Sequence, residues 1–138
     1  FFDNKIKNYF PRNVKNLEIA LWGLSFKPGT DDIRESVAIK LIKKLSPRFK
    51  KIRIYDPLAI NNAKKELKNF SNIIYCSNKN NSITKFTQAL IVCTEWKEFW
   101  TLEEVDLKNI KAIFDGRNIY SGKKFNSIHH IDYFGIGV

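Results

Sequence analysis

The sequence predicts an α/β fold: a doubly wound, mostly parallel sheet of five or six strands with helices on both faces. Three observations carry that prediction. Short apolar runs alternate along the chain with helical stretches, as repeated βα units require. One run, Ala89 to Thr94, is apolar almost without a break, the mark of a parallel strand covered on both sides. The 138 residues, 43% hydrophobic and 28% charged, suit one packed core and not a disordered, collagen-like or coiled-coil chain.

Taken in order, Phe2 to Phe10 carries apolar side chains at Phe2, Ile6, Tyr9 and Phe10, the stripe of a helix. Residues 1–15 read as the end of an upstream connecting helix and its linker, with a stripe that packs on something outside the chain; residues 16–138 read as the domain itself. Asn16 to Trp22 is the first strand, ended by a turn at Gly23. From Ile33, apolar residues at Ile33, Val37, Leu41 and Leu45 line one face of a helix that Ser46-Pro47 stops, and Asp32 with Glu35 forms a capping box at its start. Lys51 to Tyr55 is a second strand closed by Asp56-Pro57, followed by a helix over Ala59 to Leu67. Ile73 to Cys76 is the third strand, Ser82 to Phe86 a helical turn or two, and Ala89 to Thr94 the fourth strand. Short helical segments around Glu98 and over Leu102 to Asn109 lead to a fifth strand at Ala112 to Phe114, and Ile128 to Phe134 is a last extended stretch.

Composition narrows the function classes. A net charge of +10 raises the question of nucleic acid, but the lysines are scattered in pairs (Lys43-Lys44, Lys50-Lys51, Lys64-Lys65, Lys123-Lys124) and read as solvated surface. No apolar run approaches the roughly 20 residues that cross a bilayer. The chain opens on Phe1 and contains no Met, so it reads as a fragment. Cys76 and Cys93 sit in apolar, β-branched surroundings as small buried hydrophobes without CxxC spacing, which points to a reducing cytoplasm. His129 and His130 are adjacent, with no ligand at metal spacing, and no metal site is expected.

In a doubly wound sheet the ligand lies at the carboxyl ends of the strands, so four loops matter. The first, Gly23 to Ser36, has neither GxGxxG nor a P-loop; its acidic residues would repel phosphate at the helix start, leaving Lys27 and Arg34 as possible anion ligands. Arg34 either pairs with Asp31 or Glu35 on the surface or meets a ligand. In the second, Asp56 reads as a turn and cap in preference to a ribose contact. In the third, Trp96, Phe99 and Trp100 have the spacing of packing aromatics in preference to a base-stacking platform. In the fourth, Arg117 follows Asp115-Gly116, and its planar fork suits a phosphate or carboxylate. Lys27 and Arg117, on neighbouring strand ends, suggest one anionic ligand.

Gly-Leu-Ser-Phe-Lys-Pro-Gly-Thr-Asp-Asp-Ile-Arg-Glu-Ser (Gly23 to Ser36), Tyr55-Asp56-Pro57, Thr94-Glu95-Trp96-Lys97-Glu98-Phe99, Phe114-Asp115-Gly116-Arg117-Asn118 and Tyr133-Phe134-Gly135-Ile136-Gly137 together resemble the C-terminal domain of the UDP-glucose/GDP-mannose dehydrogenase family. The resemblance implies a Rossmann-like fold and an enzyme that oxidises the primary alcohol of a nucleotide sugar to the carboxylate in two NAD-dependent steps, through a thiohemiacetal and thioester on a cysteine. It implies that this domain binds the sugar nucleotide, that an N-terminal domain holds NAD, and that the intact protein is a homo-oligomer. Phe26, Lys27 and Arg117 match the family's substrate contacts, and Arg34 matches the arginine that approaches NAD across the interdomain cleft. The catalytic cysteine block and the dinucleotide fingerprint are absent, and Cys93 does not match the nucleophile, so this stretch alone should be inactive. Gln88 stands where the family commonly has an acidic residue, and Val138 where the closing motif has arginine. The Arg-Glu-Ser and Asp-Gly-Arg-Asn forms lean toward the UDP-glucose branch, with UDP-glucose as substrate, over the UDP-N-acetylmannosamine and GDP-mannose branches. A non-catalytic module binding nucleotides or nucleic acid is the alternative from another class.

Overall fold

In a computed structural model that describes residues 2–10, 14–122, 125 and 130–135, six strands form one sheet. They are β1 (Glu18–Trp22), β2 (Lys51–Tyr55), β3 (Ile73–Tyr75), β4 (Thr87–Val92), β5 (Ala112–Asp115) and β6 (Asp132–Gly135), in the order β3-β2-β1-β4-β5-β6. Every pairing is parallel. The register aligns the carboxyl ends: Trp22 lies beside Tyr55 and Val92, and Val92 beside Asp115. Between β1 and β4 the strand order reverses, which opens the crevice where a fold of this class takes its ligand.

Period-two alternation sends the residues of β1 to opposite faces. Ile19 and Leu21 join an aliphatic cluster with Ile52, Ile54, Ala89 and Ile91 under α1 (Phe2–Tyr9), α2 (Val37–Leu45) and α3 (Ile60–Glu66). Ala20 and Trp22 face a more aromatic cluster with Phe99, Tyr120 and Ile131, covered by 3₁₀ turns and the short helix α4 (Glu104–Leu107). There Trp22 stacks on Phe99 at 5.3 Å between ring centroids, and its indole N–H donates to the Ser82 hydroxyl at 2.7 Å. Helices on both faces of a parallel sheet are therefore present, long on one side and short on the other.

Four local expectations change. The Phe2, Ile6 and Phe10 stripe is buried within this domain's own core, not against something outside it. Phe2 and Tyr9 meet the ring of Phe114 edge-on, and the Tyr9 hydroxyl donates to Asp132 at 2.7 Å, so α1 clasps β5 and β6. The helix expected from Ile33 starts at Val37, and Ser36, not Asp32, caps it by accepting from the Ile39 N–H at 3.2 Å. The turn expected over Ser82 to Phe86 lies earlier, at Asn80–Ser82. Cys76 is buried as expected; Cys93 packs against the core but falls just past the end of β4 and not within the strand. Lys123, Lys124, Ile128, His129, Ile136, Gly137 and Val138 lie outside the described residues.

Candidate functional site

The backbone of the first loop is fixed at its root. Gly23 takes φ +92°, and a Cβ there would fall 2.6 Å from the backbone nitrogen of Thr94, so only glycine lets the β1 and β4 loops close on each other. The Thr94 hydroxyl donates to the Ser25 carbonyl at 2.9 Å across that closure. Asp56, buried at the end of β2, accepts from the Leu24 N–H at 2.8 Å and the Ser25 N–H at 3.3 Å through one oxygen. Its other oxygen accepts from the Leu58 and Ala59 N–H groups, both at 2.8 Å. The indole of Trp96 donates to Asp56 at 3.3 Å. The turn-and-cap expectation for Asp56 thus describes two of these five bonds; two others hold the loop that carries Lys27, and the fifth ties in Trp96.

Arg117 closes the site from the far side. Lys27 follows β1 and Arg117 follows β5, so β4 lies between them and they are not on neighbouring strands as the sequence suggested. The side chain of Arg117 bridges the gap. Its Nε donates to the Cys93 carbonyl at 3.0 Å and its Nη2 to the Phe26 carbonyl at 3.3 Å, which lays the guanidinium over the end of β4 against the residue that precedes Lys27. Among the described residues this leaves three of its five N–H groups uncommitted, with the Glu95 carboxylate 3.8 Å from Nη1. The amine of Lys27 is exposed and makes no ion pair among the described residues. Phe26, whose carbonyl Arg117 bonds and which precedes Lys27 in the chain, is 56% exposed.

Arg34 is not part of this cluster. It lies in the outer half of the same loop, 88% exposed, with its fork on Asp32 at 2.8 and 3.0 Å; the surface pairing expected from the sequence is found, but with Asp32 in place of Asp31 or Glu35. Two shallow clefts flank it, one of about 370 Å³ shared with Lys40 and Lys43 and one of about 590 Å³ shared with Asn62 and Lys65. Trp96 and Phe99 are packing residues as expected, whereas Trp100 is exposed. Burial pushes the Cys93 thiol up to about 12, against the opposing charge of Arg117, so it stays protonated at neutral pH and is a poor nucleophile. Sequence reasoning missed the organising roles of Asp56 and Thr94 and the proximity of Glu95 to Arg117. An Asp beside a Pro or Gly at a strand end was the available signal, and it is ambiguous with an ordinary turn.

An apolar ring, a lysine and an arginine at the switch point of a parallel sheet are a donor set that suits an anion. Residues 20–122 match the UDP-glucose/GDP-mannose dehydrogenase family, UDP binding domain. The chain belongs to this family. It is 33% identical over 137 residues to UDP-glucose 6-dehydrogenase of Rickettsia conorii, covering 97% of this chain and 31% of that protein. To the enzyme of the same name from Bacillus subtilis it is 34% identical over 127 residues, covering 90% of this chain and 28% of the relative. Among solved structures, the UDP binding domain superposes on a UDP-glucose dehydrogenase of Pyrobaculum islandicum with a TM-score of 0.72 at 21% identity, over 96% of this chain and 28% of that one. It also superposes on a UDP-D-ManNAc dehydrogenase of Pyrococcus horikoshii with a TM-score of 0.69 at 25% identity, over 97% and 28% of the two chains. The chain therefore spans about a third of the length of the curated relatives it matches. No helix among its described residues is long and apolar enough to cross a membrane.

Proposed function

We propose that this domain holds the nucleotide part of UDP-glucose for an NAD-dependent dehydrogenase that oxidises it to UDP-glucuronate. The observation that carries the reading is the Arg117 guanidinium, set over the β4 end against the carbonyl of Phe26, the residue before Lys27, with donors to spare. In this reading Arg117 and Lys27 meet the diphosphate, a charge-assisted recognition that suits a planar fork and a point charge side by side. Phe26 covers an apolar part of the nucleotide. Arg34 faces NAD, held mainly by an N-terminal domain of the same protein, and exchanges Asp32 for the cofactor's negative charge. When bound, NAD would supply the hydride acceptor for the two oxidations, while the residues of this domain bind and orient and none of them is catalytic. The two free thiols fit a cytoplasmic protein, and we place the intact homo-oligomer there with no nucleic-acid or membrane partner.

The test is NADH production followed at 340 nm for the full-length protein, supplied separately with UDP-glucose, UDP-N-acetylmannosamine and GDP-mannose. Two NADH per UDP-glucose is the expected result. Turnover of another sugar nucleotide would retain the binding site and change the branch. No turnover of any, with UDP still bound, would leave a nucleotide-binding module.

A further inference from the structure

The residue that sets Arg117 in place is itself buried. Asp115 ends β5 with no exposed surface, yet its carboxylate takes three hydrogen bonds. One oxygen accepts from the Arg117 N–H at 3.1 Å; the other accepts from the Tyr120 N–H at 2.8 Å and the Tyr133 hydroxyl at 2.7 Å. The turn from Gly116 to Tyr120 is wound around this group. Gly116 anchors the turn by donating to the Val92 carbonyl at 2.8 Å, and a Cβ on Gly116 would fall 2.8 Å from the same oxygen. Asn118 takes φ +57°, which turns the chain back toward Asp115. Tyr133 comes from β6, so the last strand also bears on the position of Arg117.

We infer that Asp115, supported by Tyr133, is a positioning residue for sugar-nucleotide binding: its carboxylate fixes the Arg117 backbone where the guanidinium can lie across the Cys93 and Phe26 carbonyls. The inference rests on the reading of Arg117 as a ligand of the nucleotide. An ionised carboxylate accepts on both sides, whereas an asparagine in its place must present its NH₂ to one of two backbone N–H groups, Arg117 or Tyr120. Either choice leaves a donor without an acceptor and loosens the turn.

The experiment is titration of UDP into the full-length protein and its Asp115→Asn, Arg117→Ala and doubly substituted forms, with steady-state kinetics on each. Asp115→Asn should weaken UDP binding about tenfold and raise the KM for the sugar nucleotide similarly, with kcat and the KM for NAD within about twofold of the parent. In the Arg117→Ala background the same substitution should change UDP affinity less than about twofold, because the side chain it positions is gone. A purely structural role would lower affinity in both backgrounds, and that result overturns the inference, as does unchanged affinity in Asp115→Asn. Should Asp115→Asn fail to fold, Tyr133→Phe removes one bond and keeps the charge. Its expected effect is about twofold to threefold on UDP affinity, absent in the Arg117→Ala background, and no effect overturns the inference. If Arg117→Ala binds UDP as tightly as the parent, the reading of Arg117 itself has failed and the positioning role falls with it.

Discussion

The loop after β1 is two structures in one. Its inner half, Gly23 to Lys27, is held by the Tyr55 carbonyl, Asp56, Thr94 and Arg117, partners drawn from the ends of β2, β4 and β5. Its outer half, Gly29 to Glu35, is held by exposed contacts: the Thr30 hydroxyl accepts from the Asp32 N–H, Asp32 pairs with Arg34, Asn62 donates to the Asp31 carbonyl at 2.8 Å, and a Cβ on Gly29 would meet nothing within 4 Å. A single bond from the Phe26 N–H to the Asp32 carbonyl joins them. The inner half has its backbone ordering cost met by the fold before any ligand arrives, so the main chain that carries Lys27 binds with little further loss of freedom. The outer half presents charges that neutralise one another in solvent and can change partners cheaply, as the contact proposed for Arg34 requires.

Substitutions in the inner half should cost the most. Asp56→Ala takes the acceptor from the Leu24, Leu58 and Ala59 N–H groups and from Trp96, and should lower stability by about 3–5 kcal/mol in thermal or urea unfolding. Next comes Gly23→Ala, which strains a positive φ and drives a methyl into the Thr94 backbone; about 3 kcal/mol is expected. A loss below 1 kcal/mol in both would mean that the inner half is no more fixed than the outer. Lys27→Ala separates the fold from the ligand: the unfolding midpoint should stay within experimental error, while kcat/KM for the sugar nucleotide falls by the equivalent of about 1.5–3 kcal/mol in the full-length enzyme.

The same contrast governs what could be read from the sequence. The alternation of apolar runs and helical stripes was enough for the sheet, because each strand's burial is written in its own residues, as in Ala89 to Val92. Lys27 and Arg117 were legible as the cations of strand-end loops. What was not legible are the bonds between loops: Asp56 meets Leu24 across 32 positions and Arg117 meets Phe26 across 91, and no local pattern encodes either. The start of α2 was misplaced for a related reason. Asp32 and Glu35 satisfy a capping pattern, and Ile33 keeps the helical spacing because it packs against the core without being helical. Ser36 wins the cap because its hydroxyl also donates to the Leu24 carbonyl at 2.7 Å, a tertiary bond that fixes where the helix begins.

The smallest expected effect lies in the outer half and concerns a single proton. Hydrogen bonds from the Arg34 side chain and backbone hold the Asp32 carboxyl down to about 2, from an ordinary value of 3.8. A lowered carboxylate stabilises the pairing above the ordinary value and loses that contribution as pH falls toward the folded one, so the pairing should be complete at neutral pH and break only below about pH 4. Because the pair is exposed, salt should weaken it. A carbon-detected NMR titration of Asp32 should give a midpoint near 2 in the parent and one shifted toward 3.8 in Arg34→Gln, with a small drop in the global unfolding midpoint at pH 7 that vanishes as the pH falls to about 2. A midpoint that stays near 2 in Arg34→Gln would mean that the Arg34 backbone N–H, 2.9 Å from the same carboxylate, holds Asp32 by itself. The outer half would then be fixed by its own main chain, and Arg34 would be free to meet a ligand without first giving up a partner.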